Sequence, residues 1–187
     1  MVACPILESF QIPCVFYVSP GMIGTKDMFW VDKVQACIDK SKVDIINIKL
    51  DKYYKFTLKN KKDKINATEV IKKFCKQIHY DKKDLILNEL SSITKVNPSS
   101  DISDNYKLMK WNHLQKINQN KLFTIGGHNY FHNSFKNLKK SSYDREIKST
   151  ISLLQKKIKS NIFHYSYPEG QKQDYNDYVI KILKKNK

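Results

Sequence analysis

Arginine is nearly absent from this sequence: Arg145 is the sole guanidinium among 34 basic residues, while the formal net charge reaches +16. A charge of that size invites a nucleic-acid reading, because neutralising phosphates is the main source of such affinity. Bidentate recognition of phosphate or guanine favours the planar guanidinium fork, and a lysine ammonium does not reproduce it. The lysines also spread along the whole chain rather than forming a block. A specific nucleic-acid binder is not expected; loose adhesion to polyanions or anionic glycans is. Glycine and proline are scarce too, five of each in 187 residues. With abundant Lys, Asn and Ile, this looks like compositional drift in an A/T-rich coding sequence.

Other absences narrow the class further. Cys4, Cys14, Cys37 and Cys75 form no Cys-x-x-Cys pair, which speaks against a disulfide framework or zinc knuckle and for free, mostly buried thiols. No apolar run approaches the length of a membrane-spanning helix. A basic start followed by a small-residue cleavage site is missing, so no signal peptide is visible; localisation stays open and is cytoplasmic by default. Gly21-x-x-Gly24-Thr25-Lys26 lacks the Gly-Lys-Ser/Thr ending of a phosphate-binding loop and is discounted. No internal repeat is found.

What is present suits one domain with a sizeable core: 41% of residues are hydrophobic, including eleven Tyr and nine Phe. The chain opens directly on a helix that runs to about Phe10, and Ile12 to Val18 reads as a buried strand of the parallel-sheet kind. Trp30, Val34, Cys37 and Ile38 recur at helical spacing. Residues 43–58 alternate as a hairpin turning near Asp51-Lys52. Asn66-Ala-Thr-Glu69 has the form of a capping box opening a helix through Ile78, and Asp81 or Asp84 begins another ending near Val96. Asn97 to Asp101 is a loop. Together, 41–105 reads as a mainly helical insertion. His79 and His113 are placed on helix faces, at the surface or half-buried. Ser141-Ser-Tyr-Asp144 caps an amphipathic helix with Ile147, Ile151, Leu154 and Ile158 facing inward. Asn161 to Pro168 reads as a strand, and Tyr175 to about Lys185 as a last helix.

The most informative stretch is Lys121 to His132. An apolar β-type run, Leu122 to Ile125, ends on Gly126-Gly127 and delivers His128 and His132 four residues apart. If the backbone turns helically after the glycines, both imidazoles fall on one face, within reach of one metal ion. The bland alternative has one histidine packing and the other solvated.

Ile125-Gly-Gly-His-Asn-Tyr-Phe-His132 resembles the metal-binding motif of the polysaccharide deacetylase (NodB-homology) family, Gly-x-His-Ser/Thr-x-x-His, with Asn129 where Ser or Thr is usual. Three further stretches match in order. Pro5 to Val18 resembles the helix and strand after the family's first motif. Met109-Lys-Trp111 resembles a Thr-Trp segment, and Phe163 to Gly170 resembles a Tyr-Pro-aromatic-Gly motif. The resemblance implies an α/β fold, an incomplete distorted (β/α) barrel with sites at the carboxyl ends of its strands. It also implies hydrolysis of an N-acetyl or O-acetyl group on a carbohydrate by a divalent metal, usually zinc, held by two His and one Asp, with a second Asp as base.

Carried over residue by residue, His128 and His132 are the metal ligands. The backbone N–H of Glu169 is a possible oxyanion donor, and Tyr167, Pro168 and Gly170 are substrate contacts; for Tyr165, Tyr167 and Pro168 ordinary strand-end packing is about as good a reading as a sugar-stacking role. Ser166 stands where many members carry an Arg that orients the base. The two family aspartates lie in a motif that would precede Met1, and a Leu-x-His motif would follow Lys187. Neither Asp27 nor Asp174 matches them. The expectation is therefore a single deacetylase-like domain over 1–187, truncated at both ends, with impaired activity and an acetylated poly- or oligosaccharide as partner. The alternatives are a non-catalytic remnant that binds glycan or a partner chain and, less favoured, a basic nucleic-acid binder.

Overall fold

A computed structural model describes residues 2–185. In chain order the regular elements are α1 (Ala3–Ser9), β1 (Cys14–Val18), α2 (Trp30–Asp39), β2 (Ile45–Lys49), β3 (Tyr53–Thr57), α3 (Lys61–Cys75) and α4 (Tyr80–Thr94). They continue with α5 (Trp111–Gln119), β4 (Phe123–Gly127), α6 (Tyr143–Ile158), β5 (His164–Tyr165) and α7 (Asp177–Lys185). Two units, each around its own hydrophobic core, share these elements: 26–108 forms one, and the residues before and after it form the other.

In the discontinuous unit β1, β4 and β5 form a three-stranded parallel sheet in the order β1-β4-β5. The register sets Val18 opposite Gly127, and Gly127 opposite Tyr165. All three strands therefore run out at one end, where Ser19, His128 and Ser166 begin the loops that build the site. The class is mixed α/β with a parallel sheet, as the strand–helix alternation implies. Among the described residues the sheet is open and short, with no closed barrel.

The core of this unit gathers Val18, Leu114, Phe123, Ile125, Phe135 and Val179 around the α6 stripe Ile147, Ile151, Leu154 and Ile158. Those four sit at helical spacing and are all buried. Each contributes roughly 1.5–3 kcal/mol by leaving water. Helix α6 packs on α5, α7 and β4, so it carries the strand that leads to the histidines.

The continuous unit packs the β2–β3 hairpin against α3 and α4, and α2 packs on both of those helices. Ile46, Ile48 and Phe56 form the buried face of the hairpin. The whole of 41–105 lies in this unit, which begins earlier, ahead of α2. No helix among the described residues is long and apolar enough to cross a membrane.

Several local expectations fail for identifiable reasons. Helix α3 starts a full turn and more before Asn66, because the side chain of Asn60 accepts the Asp63 N–H at 3.0 Å and caps it there. Asn66 is an exposed interior residue. His79 is the N-cap of α4, its Nδ1 accepting the Asp81 N–H at 3.4 Å. His113 reaches back from α5 to accept the N–H of Lys110. His79 thus serves a helix end rather than a helix face, whereas His113 lies within α5 and is half-buried as expected, with the capping contact in addition. Ser142 is the N-cap residue of α6 but makes no side-chain capping bond; its hydroxyl donates to Lys139 instead. The expected strand over 161–168 contracts to His164–Tyr165, since β4 offers pairing only to those two residues.

Candidate metal centre at the carboxyl ends of the strands

Gly126 and Gly127 close β4, and each leaves room for an aromatic ring of a neighbouring strand. A Cβ on Gly126 would lie 2.6 Å from the Tyr17 ring, and one on Gly127 would lie 2.7 Å from the Tyr165 ring. Only hydrogen at these positions lets both rings lie across the strand. The sharp turn comes later. Asn129 and His132 carry it, in the left-handed region at φ 54° and 62°. The backbone after the glycines is therefore not helical, and the helical route to a shared face is corrected.

The imidazoles meet nonetheless. The ring centroids of His128 and His132 are 4.7 Å apart, with planes at 70°. Loop closure rather than helical pitch makes the pair. The His128 backbone is anchored at both polar groups: its N–H donates to Val18 at 3.0 Å, and its carbonyl accepts from the Ser19 hydroxyl at 2.6 Å. Its Nδ1 lies 2.9 Å from the Ser166 carbonyl oxygen. A carbonyl can only accept, so Nδ1 carries the proton and Nε2 the available lone pair. Burial lowers the pKa of His128, against the Ser166 carbonyl, which raises it. A neutral imidazole with one oriented lone pair is what a divalent metal requires, and a backbone carbonyl on the other nitrogen is the usual outer support.

The loop between the two histidines is tied down on three sides. Asn129 is fully buried; its N–H donates to the Tyr165 hydroxyl at 3.1 Å and its Nδ2 to the Asn133 carbonyl at 2.6 Å. The Tyr165 hydroxyl in turn donates to Asn129 Oδ1. Burial raises the Tyr165 pKa strongly, which keeps that donor proton in place. Glu146, on α6, accepts the N–H of Tyr130 at 2.7 Å, and the neighbouring Phe131 N–H also acts on its carboxylate. The Gly21 N–H donates to the Tyr130 carbonyl at 2.9 Å.

A second tie lies further along. Asp174 is buried and takes Lys136 at 2.8 Å, the Ser134 hydroxyl at 3.1 Å and the Gln171 N–H at 3.0 Å. Burial alone would raise its pKa, but the Lys136, Gln171 and Ser134 donors outweigh it and hold the carboxyl below its ordinary value. Asp174 thus joins the segment after His132 to the segment after Gly170. Asp27, in the continuous unit, pairs with Lys33 at 2.7 Å.

The other expected site residues fall on the loop after β5. Pro168 is buried; Glu169 and Gly170 are exposed and left-handed, at φ 67° and 68°. Tyr167 is half-buried, stacked on Tyr175 with centroids 4.4 Å apart and edge-on to Phe135. Its contacts are those of strand-end packing.

The donor chemistry of His128 and His132 suits zinc or a similar ion, but it supplies two protein ligands where a catalytic zinc site uses three. Among the described residues no group of three His, Cys, Asp or Glu could hold a metal ion. Sequence reasoning missed Glu146, the bonds of the Tyr165 hydroxyl to Asn129, and the Ser166 carbonyl. Glu146 had one signal, an acidic residue bordering the apolar stripe of α6 beside Ile147. A backbone carbonyl has none.

A family model described as polysaccharide deacetylase matches residues 2–187. No curated protein and no solved structure matches the chain.

Proposed function

We propose a function from this premise: the chain belongs to the polysaccharide deacetylase family, whose model matches nearly all of it. At family level it is a hydrolase acting on acetylated carbohydrates. The finer reading is that His128 and His132 hold a divalent metal, zinc by their donor type, for hydrolysis of an N-acetyl or O-acetyl group on a poly- or oligosaccharide. The observation that supports it is the imidazole pair at 4.7 Å with His128 Nδ1 committed to the Ser166 carbonyl. A distorted (β/α) barrel, of which the three-stranded sheet would be an arc, is the architecture that family membership favours.

When bound, such a metal polarises the acetyl carbonyl and acidifies water. The contributions of this chain are positional. The Ser166 carbonyl fixes the tautomer of His128, and the anchored loop presents His132 beside it. The backbone N–H of Glu169, exposed and left-handed at φ 67°, would serve as the donor to a developing oxyanion. Tyr167 and Gly170 flank the sugar, and buried Pro168 braces them from behind. The third ligand and the base have no counterpart grouped with these histidines among the described residues. The chain by itself is therefore expected to bind metal without appreciable turnover, and a non-catalytic, glycan-binding role is the second reading.

Cobalt titration of the purified chain, monitored by its visible spectrum, tests the assignment. His128→Ala and His132→Ala should each weaken apparent affinity at least about tenfold, roughly 1.4 kcal/mol. Equal binding by both variants and the wild type would remove the histidines from the site. Acetate release from an acetylated chito-oligosaccharide, sensitive to a chelator and to His128→Ala, would show that the chain is catalytically complete after all.

A further inference from the structure

We propose that Glu146 is the positioning residue of the histidine pair: its carboxylate, held on α6, fixes the loop whose two ends are His128 and His132. This rests on the reading of those histidines as metal ligands and extends it to a residue outside the motif. The carboxylate meets neither imidazole. It accepts the backbone N–H of Tyr130 at 2.7 Å and lies close enough to the Phe131 N–H to feel it, two of the three residues between the histidines.

The geometry explains why a carboxylate serves here. Successive N–H groups in a tight loop converge, and two oxygens can take both at once. A charged acceptor makes each bond about twice as strong as a neutral one. The loop is left-handed at both flanking positions, Asn129 and His132, a conformation that costs non-glycine residues energy and persists only where the surroundings enforce it. Glu146 enforces it from the α6 side, the Gly21 N–H from the other, and Tyr165 through Asn129. Gly21 has no room for a side chain, since a Cβ would fall 2.4 Å from the Tyr130 ring. That packing stops the loop moving away from Glu146.

The helix under Glu146 is anchored along its whole length. Ile147, its neighbour, is fully buried, and so is Leu154 two turns on. Burial raises the Glu146 pKa, while the Tyr130 and Phe131 amides and Arg145 act in the opposite sense. An acidic side chain kept half-buried against that penalty, with the Tyr130 amide bonded to it, has a positional task that a solvated helix residue lacks.

The test separates position from metal. In metal-free protein, a nuclear Overhauser contact between the His128 and His132 rings reports their juxtaposition, and amide hydrogen exchange at Tyr130 and Phe131 reports the clamp. Glu146→Ala should abolish the ring contact and speed both amides at least tenfold, while Glu146→Gln, which keeps an acceptor oxygen, should preserve most of both. A folded Glu146→Ala protein with the ring contact and slow amides intact overturns the proposal. Should that variant not fold, the wild type still decides, because Tyr130 and Phe131 amides that exchange as fast as open loop would overturn it equally. Cobalt titration then reads the consequence: about a 10–100-fold loss of affinity for Glu146→Ala, restored in large part by Glu146→Gln. If the wild type takes no cobalt, the metal reading fails while the ring contact still judges Glu146.

Discussion

Replacing Gly127 with alanine tests how tightly the end of β4 is built. The new methyl would sit 2.7 Å from Cδ2 and 2.8 Å from Cε2 of Tyr165, and 3.1 Å from Cγ2 of Thr150. Reaching ordinary contact near 3.4 Å requires the Tyr165 ring to retreat by about 0.7 Å. The ring cannot do so at no cost, since its hydroxyl accepts from the Asn129 N–H at 3.1 Å and donates to Asn129 Oδ1. Asn129 is fully buried and has no route to water. Overpacking costs about 1–3 kcal/mol, and a weakened bond to a buried partner about 1–3 kcal/mol. The smaller unfolded-state entropy of alanine offsets about 0.4–1 kcal/mol. The net loss should be about 1–5 kcal/mol. Urea unfolding followed by Trp111 fluorescence, in a Trp30→Phe background, reads only the unit that carries the change. A variant within about 0.5 kcal/mol of its parent would refute the clash. A double-mutant cycle locates the cause: with Tyr165→Leu already present, Gly127→Ala should cost less than about 1 kcal/mol.

Two other outcomes follow from single contacts. Asp174→Asn should cost about 1.5–3 kcal/mol at neutral pH, because the buried carboxylate loses charge-assisted bonds from Lys136 and Ser134. The Asp174 pKa is depressed in the fold, so its stabilisation is complete above the ordinary aspartate value of about 3.9 and is lost as pH falls through the folded value. Wild-type and variant stabilities should therefore converge only in that acid window, and a gap unchanged down to pH 2 would contradict the pairing. At the start of α3, Asn60→Ala should destabilise by about 1 kcal/mol through loss of the cap, while Asn66→Ala should stabilise by several tenths, since an exposed interior Asn is a poor helix former. Thermal melts of the two variants that shift in the same direction would place the helix start wrongly.

Much of this protein was legible in one dimension because the signals are local and repetitive. The α6 stripe Ile147, Ile151, Leu154 and Ile158 recurs at helical spacing, and a buried helix face follows from that alone. The hairpin over 45–57 alternates with period two and forms where the alternation puts it. His128 and His132 announce themselves by residue type after a Gly-Gly strand end, and the family follows from the motif order. The tertiary structure decided the rest. Asn60 rather than Asn66 begins α3, because only Asn60 stands free of the helix with its side chain on the Asp63 amide. The strand before Pro168 is two residues long because strand length depends on what the neighbour can pair. The histidines come together not through helical pitch but across a loop with two left-handed residues, a loop bonded to the Tyr165 hydroxyl and to the Glu146 carboxylate on α6. The supports of the site, Glu146 at Tyr130 and Ser166 at His128, bridge separations of 16 and 38 residues. Periodicity carries no information over such distances, since the chain entropy of closing those loops is overcome only by the packed core of the whole unit.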